Sequence, residues 1–145
     1  MSPSNPIEIL VVDDNPGDLR LIQEAIKDSN VASRLHTAKD GQEALAFLRK
    51  EGPYAGVPRP NLVLLDLNMP IVGGLEVLRV IKGTPELMTI PTVILTSSMG
   101  AKDIQGCYEA HANAYLVKPT ELESFSSMLA SIQAFWLTLA TYPAG

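Results

Sequence analysis

Four short apolar runs each end on a residue that can do chemistry: Val11-Val12-Asp13-Asp14, Leu64-Leu65-Asp66, Ile94-Leu95-Thr96 and Leu116-Val117-Lys118-Pro119. If these runs are strands ending at one edge of a sheet, three carboxylates, a hydroxyl and an ammonium meet there. Carboxylates that close raise one another's pKa unless a cation compensates them. A hard divalent ion does so, and Mg2+ in particular takes a few carboxylates together with water and phosphate oxygens. An ammonium alongside makes the same pocket fit for a phosphoryl group. Singly, each residue has a plainer use: Asp13-Asp14 as a helix cap, Thr96 in a turn, Lys118 as a solvated charge. Asp66 at the end of Leu62–Leu65 is harder to explain that way, because an unpaired charge at a buried strand end is costly.

The elements that must position these residues alternate in type. Ile7–Val12, Leu62–Leu65, Thr92–Leu95 and Ala114–Val117 read as buried strands, and Arg34–Thr37 as a weaker one. Between them lie helical patterns. Leu19, Ile22 and Ile26 recur at helical spacing behind an Asn15 cap and Pro16 at the first helical position. Asp40 opens a second helix with Ala44, Leu45, Phe47 and Leu48 inward, and Gly74 a third with Leu75, Leu78 and Ile81. Lys102–Ala112 reads as a fourth, weakened by Gly106, and Glu121 to about Leu139 as a long fifth. Gly52–Pro60 holds three prolines and two glycines, which makes it a loop. Five strands alternating with five helices predict an α/β, doubly wound fold with a parallel sheet. A flavodoxin-like strand order 2-1-3-4-5 would make the four loaded strand ends contiguous at the carboxyl edge, where such sheets bind ligands.

Composition narrows the function classes. The chain has 145 residues, 46% hydrophobic and 19% charged, which suits one domain over residues 1–145, with a core at 7–120 and a final helix over about 121–140. Its net charge of −5, with no basic cluster, argues against nucleic acid as a partner. No apolar run approaches the ~18–20 residues of a membrane span. Cys107 is the only cysteine, so no intramolecular disulfide forms, and a cytoplasmic location is expected.

In order and at these spacings, the strand endings resemble the receiver domain of two-component response regulators over essentially the whole chain. The match comprises Asp13-Asp14, Asp66-Leu67-Asn68-Met69-Pro70, Thr96-Ser97 and Lys118-Pro119. The resemblance implies that Asp66 accepts a phosphoryl group from a histidine kinase, and that Asp13, Asp14, Asp66 and the Asn68 backbone carbonyl hold Mg2+. It further implies that Lys118 pairs with a phosphoryl oxygen, that Thr96 and Tyr115 form the switch, and that Lys118-Pro119 is cis. Such a protein is not an enzyme in the usual sense; it transfers and loses the phosphoryl group by self-catalysis. Two departures stand out. Gly73-Gly74 replaces the usual Asp-Gly, and His111 occupies a position where glycine usually closes the fourth helix, which costs energy if φ is positive there. Two other readings use the same endings: a phosphorylation-independent interaction module, and a small Mg2+-dependent phosphohydrolase.

The last element departs most from a minimal receiver. Leu122, Phe125, Leu129, Ile132, Trp136 and Leu139 form a heptad-like seam, and no charged residue follows Glu123. A helix of ~19 residues is about 28 Å long, so its end is expected to overhang the domain. Phe135, Trp136, Leu137 and Leu139 are then expected to form a homodimer interface. The Pro-rich loop and the Phe135-Trp136-Leu137-Thr138 ending are similar to those of single-domain regulators that partner bacterial phytochromes, which implies a phytochrome-type histidine kinase as the partner.

Overall fold

The computed structural model describes residues 6–143; residues 1–5 and 144–145 of the expected domain lie outside the described residues. The strands are β1 (Ile7–Val12), β2 (Ser33–Ala38), β3 (Leu62–Leu65), β4 (Thr92–Thr96) and β5 (Ala114–Val117). Between and after them run α1 (Pro16–Lys27), α2 (Gly41–Leu48), α3 (Gly74–Gly83), α4 (Ala101–Glu109) and α5 (Leu122–Ile132). All strand pairs are parallel, in the order β2-β1-β3-β4-β5. The expected fold class is therefore the one observed.

Alternate residues of the strands feed two cores. Leu10, Val12, Val63, Leu65 and Ile94 face Ala44, Phe47, Leu48, Val77, Leu78 and Ile81 from α2 and α3. Ile9, Val11, Leu62, Leu64, Val93 and Leu95 face Ile22 and Ile26 of α1 and Phe125, Leu129 and Ile132 of α5. With apolar partners on both faces, these strands need no polar alternation.

Register aligns the chemistry. Val12 lies opposite Leu65, Leu65 opposite Ile94, and Thr96 opposite Val117. Two of these ladders extend one bond past the strand: Asp66 N–H donates to the Val12 carbonyl at 2.9 Å, and Lys118 N–H to the Thr96 carbonyl at 2.7 Å. The backbones carrying Asp66 and Lys118 are thereby pinned to their neighbours.

Caps fall where the sequence predicts. The Asn15 side chain accepts from Asp18 N–H at 3.0 Å, and Asp40 from Glu43 N–H at 2.7 Å. Helix α4 ends at Glu109, short of the expected Ala112, and His111 follows with φ 72°. Ile71, exposed in the β3–α3 loop, takes φ 69°, a costlier conformation for a β-branched residue. Lys118-Pro119 is trans, against the cis expectation, and no cis peptide occurs among the described residues. Trans is the lower-energy X–Pro isomer by about 0.5–1 kcal/mol.

The end of the last helix also differs from expectation. Gln133–Leu139 winds as a π-helix. Its wider turn makes Leu137, five residues past Ile132, the next side chain to enter the core, whereas α-helical spacing would bring in Trp136. Leu137 is therefore buried and unavailable as an interface residue, while Phe135 and Leu139 are exposed and Trp136 half-buried. Leu122, at the start of the expected apolar seam, is exposed as well. Tyr142 folds back and donates its hydroxyl to the Trp136 carbonyl.

Helix α3 begins against the backbone of Asp66. A Cβ on Gly74 would lie 2.1 Å from the Asp66 carbonyl oxygen and 2.7 Å from the Leu67 Cα. Gly74→Ala is expected to destabilise the protein by about 2–4 kcal/mol, measured by urea denaturation. A loss below about 0.5 kcal/mol would show that the loop yields freely.

Candidate functional site

The carboxyl edge of the sheet brings together Asp13, Asp14 and Asp66, whose ligand oxygens all lie within 4.8 Å of one another. Asp13 and Asp66 are buried and Asp14 is exposed. Lys118, also buried, reaches in from the end of β5. Its Nζ lies 2.6 Å from Asp13 Oδ2, 2.9 Å from Asp18 Oδ2 and 3.6 Å from Asp66 Oδ2. The single ammonium thus leaves the carboxylate cluster with excess negative charge, and three hard oxygen donors so disposed fit a divalent cation.

Local hydrogen bonds hold this arrangement. Asn15 N–H donates to Asp13 Oδ1 at 2.9 Å, and Asn68 N–H lies 3.5 Å from Asp66 Oδ1. Thr96 is fully buried at the end of β4, and its hydroxyl oxygen accepts from Ser98 N–H at 3.4 Å. Tyr115 is half-buried and donates its hydroxyl to the Ser98 carbonyl at 2.9 Å, tying β5 to the β4–α4 loop. Ser98 in turn donates to Asp103 of α4. Beside Lys118, an open cleft lined by Asn15, Asp18, Ser97, Met99, Pro119 and Phe125 leads to the site. A larger surface groove, between α1 and β2 (Arg20, Glu24, Lys27, Val31, Leu35), lies away from these groups.

The electrostatics follow from burial and pairing. Burial pushes the Asp13 carboxyl above its usual range, only partly offset by the hydrogen bonds from Lys118 and Asn15. Burial alone would lower the Lys118 ammonium, but its hydrogen bonds to Asp13 and Asp18 outweigh that and raise it.

Every sequence-predicted residue of the strand-end constellation therefore lies at one edge, with Tyr115 linked to it through Ser98. Asp18 was not foreseen. Its one sequence signal is its place in the first turn of α1, four residues after Asp14. Lys82 was likewise missed. It donates to the carbonyls of Met88 and Ile90 and to Asn113 Oδ1. His36, a lone histidine in sequence, pairs with Glu8 at 2.9 Å.

A parallel sheet ordered 2-1-3-4-5, with an acidic trio facing a lysine at its carboxyl edge, is the architecture of a phosphoryl-accepting signalling domain. The family model described as the response regulator receiver domain matches residues 9–130, and the chain belongs to that family. It acts by self-catalysed phosphoryl transfer and loss rather than as a conventional enzyme. Across 142 residues, covering 97% of each chain, it is 46% identical to the response regulator Rcp1 of Synechocystis sp.. The Mn(2+)-bound structure of Rcp1 superposes with a TM-score of 0.94 at 45% identity, covering 96% of this chain and all of that one. The phosphorylated cyanobacterial phytochrome response regulator RcpA gives a TM-score of 0.94 at 44% identity, covering 97% and 100% of the two chains. No helix among the described residues is long and apolar enough to cross a membrane.

Asp13 yields a stability prediction. Its pKa in the folded state is raised above the ordinary 3.8, so the native state binds the proton more tightly than the unfolded chain does. Its charge therefore costs stability as pH rises through the carboxylate range, and the cost vanishes below that range. In metal-free buffer at pH 7, Asp13→Asn is expected to raise the thermal midpoint, with the gain shrinking toward pH 4. A lowered midpoint at pH 7 would contradict this.

Proposed function

We propose that Asp66 is the phosphoacceptor of this receiver and takes its phosphoryl group from a histidine kinase. The observation that carries the reading is the position of the Asp66 carboxylate. It sits within the acidic trio, 3.6 Å from the Lys118 ammonium, at the end of a strand fixed on both sides. A carboxylate oxygen of Asp66 attacks phosphorus as the bond from phosphorus to the donor nitrogen breaks, which leaves an acyl phosphate. Lys118 offers its charge to a phosphoryl oxygen, and the buried Thr96 hydroxyl donates to another. Asp13, Asp14, Asp66 and the Asn68 carbonyl would hold Mg2+, which when bound neutralises the charge that the transferred group carries. Catalysis of this kind is positioning and electrostatics.

Output follows from the links out of the site. Drawing Thr96 toward the phosphoryl group alters the loop that carries Ser98, and with it the Tyr115 hydrogen bond and the start of α4. That face then signals by protein contacts. The relatives described as phytochrome response regulators support a phytochrome-type histidine kinase as the partner. A cytoplasmic location accords with that partner.

Intact-mass spectrometry after incubation with a small phosphodonor and Mg2+ tests the reading. One phosphoryl adduct is expected on the wild type and none on Asp66→Asn. Turnover of general phosphomonoesters would favour a hydrolase, and no adduct with any donor would favour an interaction module.

Homodimerisation belongs to the same proposal. Phe135, 52% exposed, and Leu139, 72% exposed, leave apolar surface beside Trp136, which meets Phe135 edge-to-face at 5.1 Å. Light scattering at tens of micromolar is expected to give the mass of a dimer, reduced to a monomer by Phe135→Asp with Leu139→Asp. A monomeric wild type, phosphorylated or not, would exclude this interface.

A further inference from the structure

An ammonium has three N–H donors. In this structure Asp13 and Asp18 take Lys118 at hydrogen-bond distance, whereas Asp66 stays beyond it at 3.6 Å. Asp18 is placed for this by the capped first turn of α1. Its backbone N–H is held by the Asn15 cap, and its side chain reaches across to β5 from the first turn of α1. It lies outside the acidic trio whose oxygens could share a cation. Among the described residues, Lys118 is the cation with which Asp18 pairs.

Resting on the proposed role of Asp66, we propose that Asp18 is a positioning residue that competes with the phosphoryl group for the Lys118 ammonium. With Asp18 in place, Lys118 is partly neutralised and held on the α1 side. A phosphoryl oxygen on Asp66 must draw the ammonium away from that ion pair. Asp18 thus weakens retention of the phosphoryl group and sets the threshold for the switched state. Replacing its charge with a neutral amide frees Lys118 while leaving the Asn15 cap intact, because the cap uses only the Asp18 backbone.

The test is the affinity for beryllofluoride, a phosphoryl mimic, with saturating Mg2+ at one pH, measured by calorimetry on the wild type, Asp18→Asn, Lys118→Ala and the double variant. Asp18→Asn is expected to bind about three- to tenfold more tightly than the wild type, the range expected for removing one partly screened charge. In the Lys118→Ala background, the same substitution is expected to leave Kd within about twofold, the sign of coupling through Lys118. Unchanged or weaker binding by Asp18→Asn, with a wild type that binds, overturns the role of Asp18 and leaves that of Asp66 standing. An equal gain in the Lys118→Ala background means direct repulsion of the anion and also overturns it. A folded wild type that binds no beryllofluoride overturns the phosphoacceptor reading itself.

Discussion

The Lys118 ammonium is the interaction on which the rest of this structure depends. It is buried at the end of β5 and approached by the carboxylates of Asp13, Asp18 and Asp66. Without it, the site would place like charges together in a partly dehydrated edge, at a cost of several kcal/mol for each unpaired ion. With it, the site remains under-neutralised, a state that favours a further cation and then an anion that brings its own oxygens. Receiver chemistry follows from that imbalance. The fold tolerates it because the apolar strands and both cores supply stability elsewhere.

Each supporting element is shaped by the need to hold these charges. The β1–β3–β4–β5 register sets the strand ends side by side, and one extra ladder bond fixes Asp66 and Lys118 at their backbones. Gly74 lets α3 begin in contact with the Asp66 carbonyl, where no Cβ fits. Asn15 both caps α1 and donates to Asp13, so the helix start and the acidic trio are one structure. Strain collects nearby, at Ile71 in the loop after Asp66. Strain of this kind gathers at functional edges, where the surrounding structure can hold it.

Much of this was legible in the sequence, for definite reasons. Apolar strands ending in Asp, Thr or Lys reveal both the sheet and its loaded edge, because the pattern is local and parallel pairing aligns the ends. Asn15 and Asp40 were readable because caps are set by near neighbours, whereas the positive φ at His111 was signalled only by the glycine usual there in the family the chain resembles. What stayed hidden depends on angles between elements. The reach of Asp18 to Lys118 spans 100 positions of chain. The π-helical turn that buries Leu137 leaves Phe135 exposed, and both positions look equally apolar in sequence. Exposure of Leu122 is decided by where α5 meets the sheet, a distance that no residue pattern encodes.

In the proposed switch, Lys118 exchanges a carboxylate partner for a phosphoryl oxygen. Nitrogen-15 NMR of the Lys118 ammonium, in protein labelled at lysine, observes that exchange directly. The ammonium resonance is expected to be protected and visible in the unphosphorylated protein, and to shift when the acyl phosphate forms with Mg2+, with a coupling to phosphorus-31. A Lys118 resonance unmoved by formation of the acyl phosphate would contradict it.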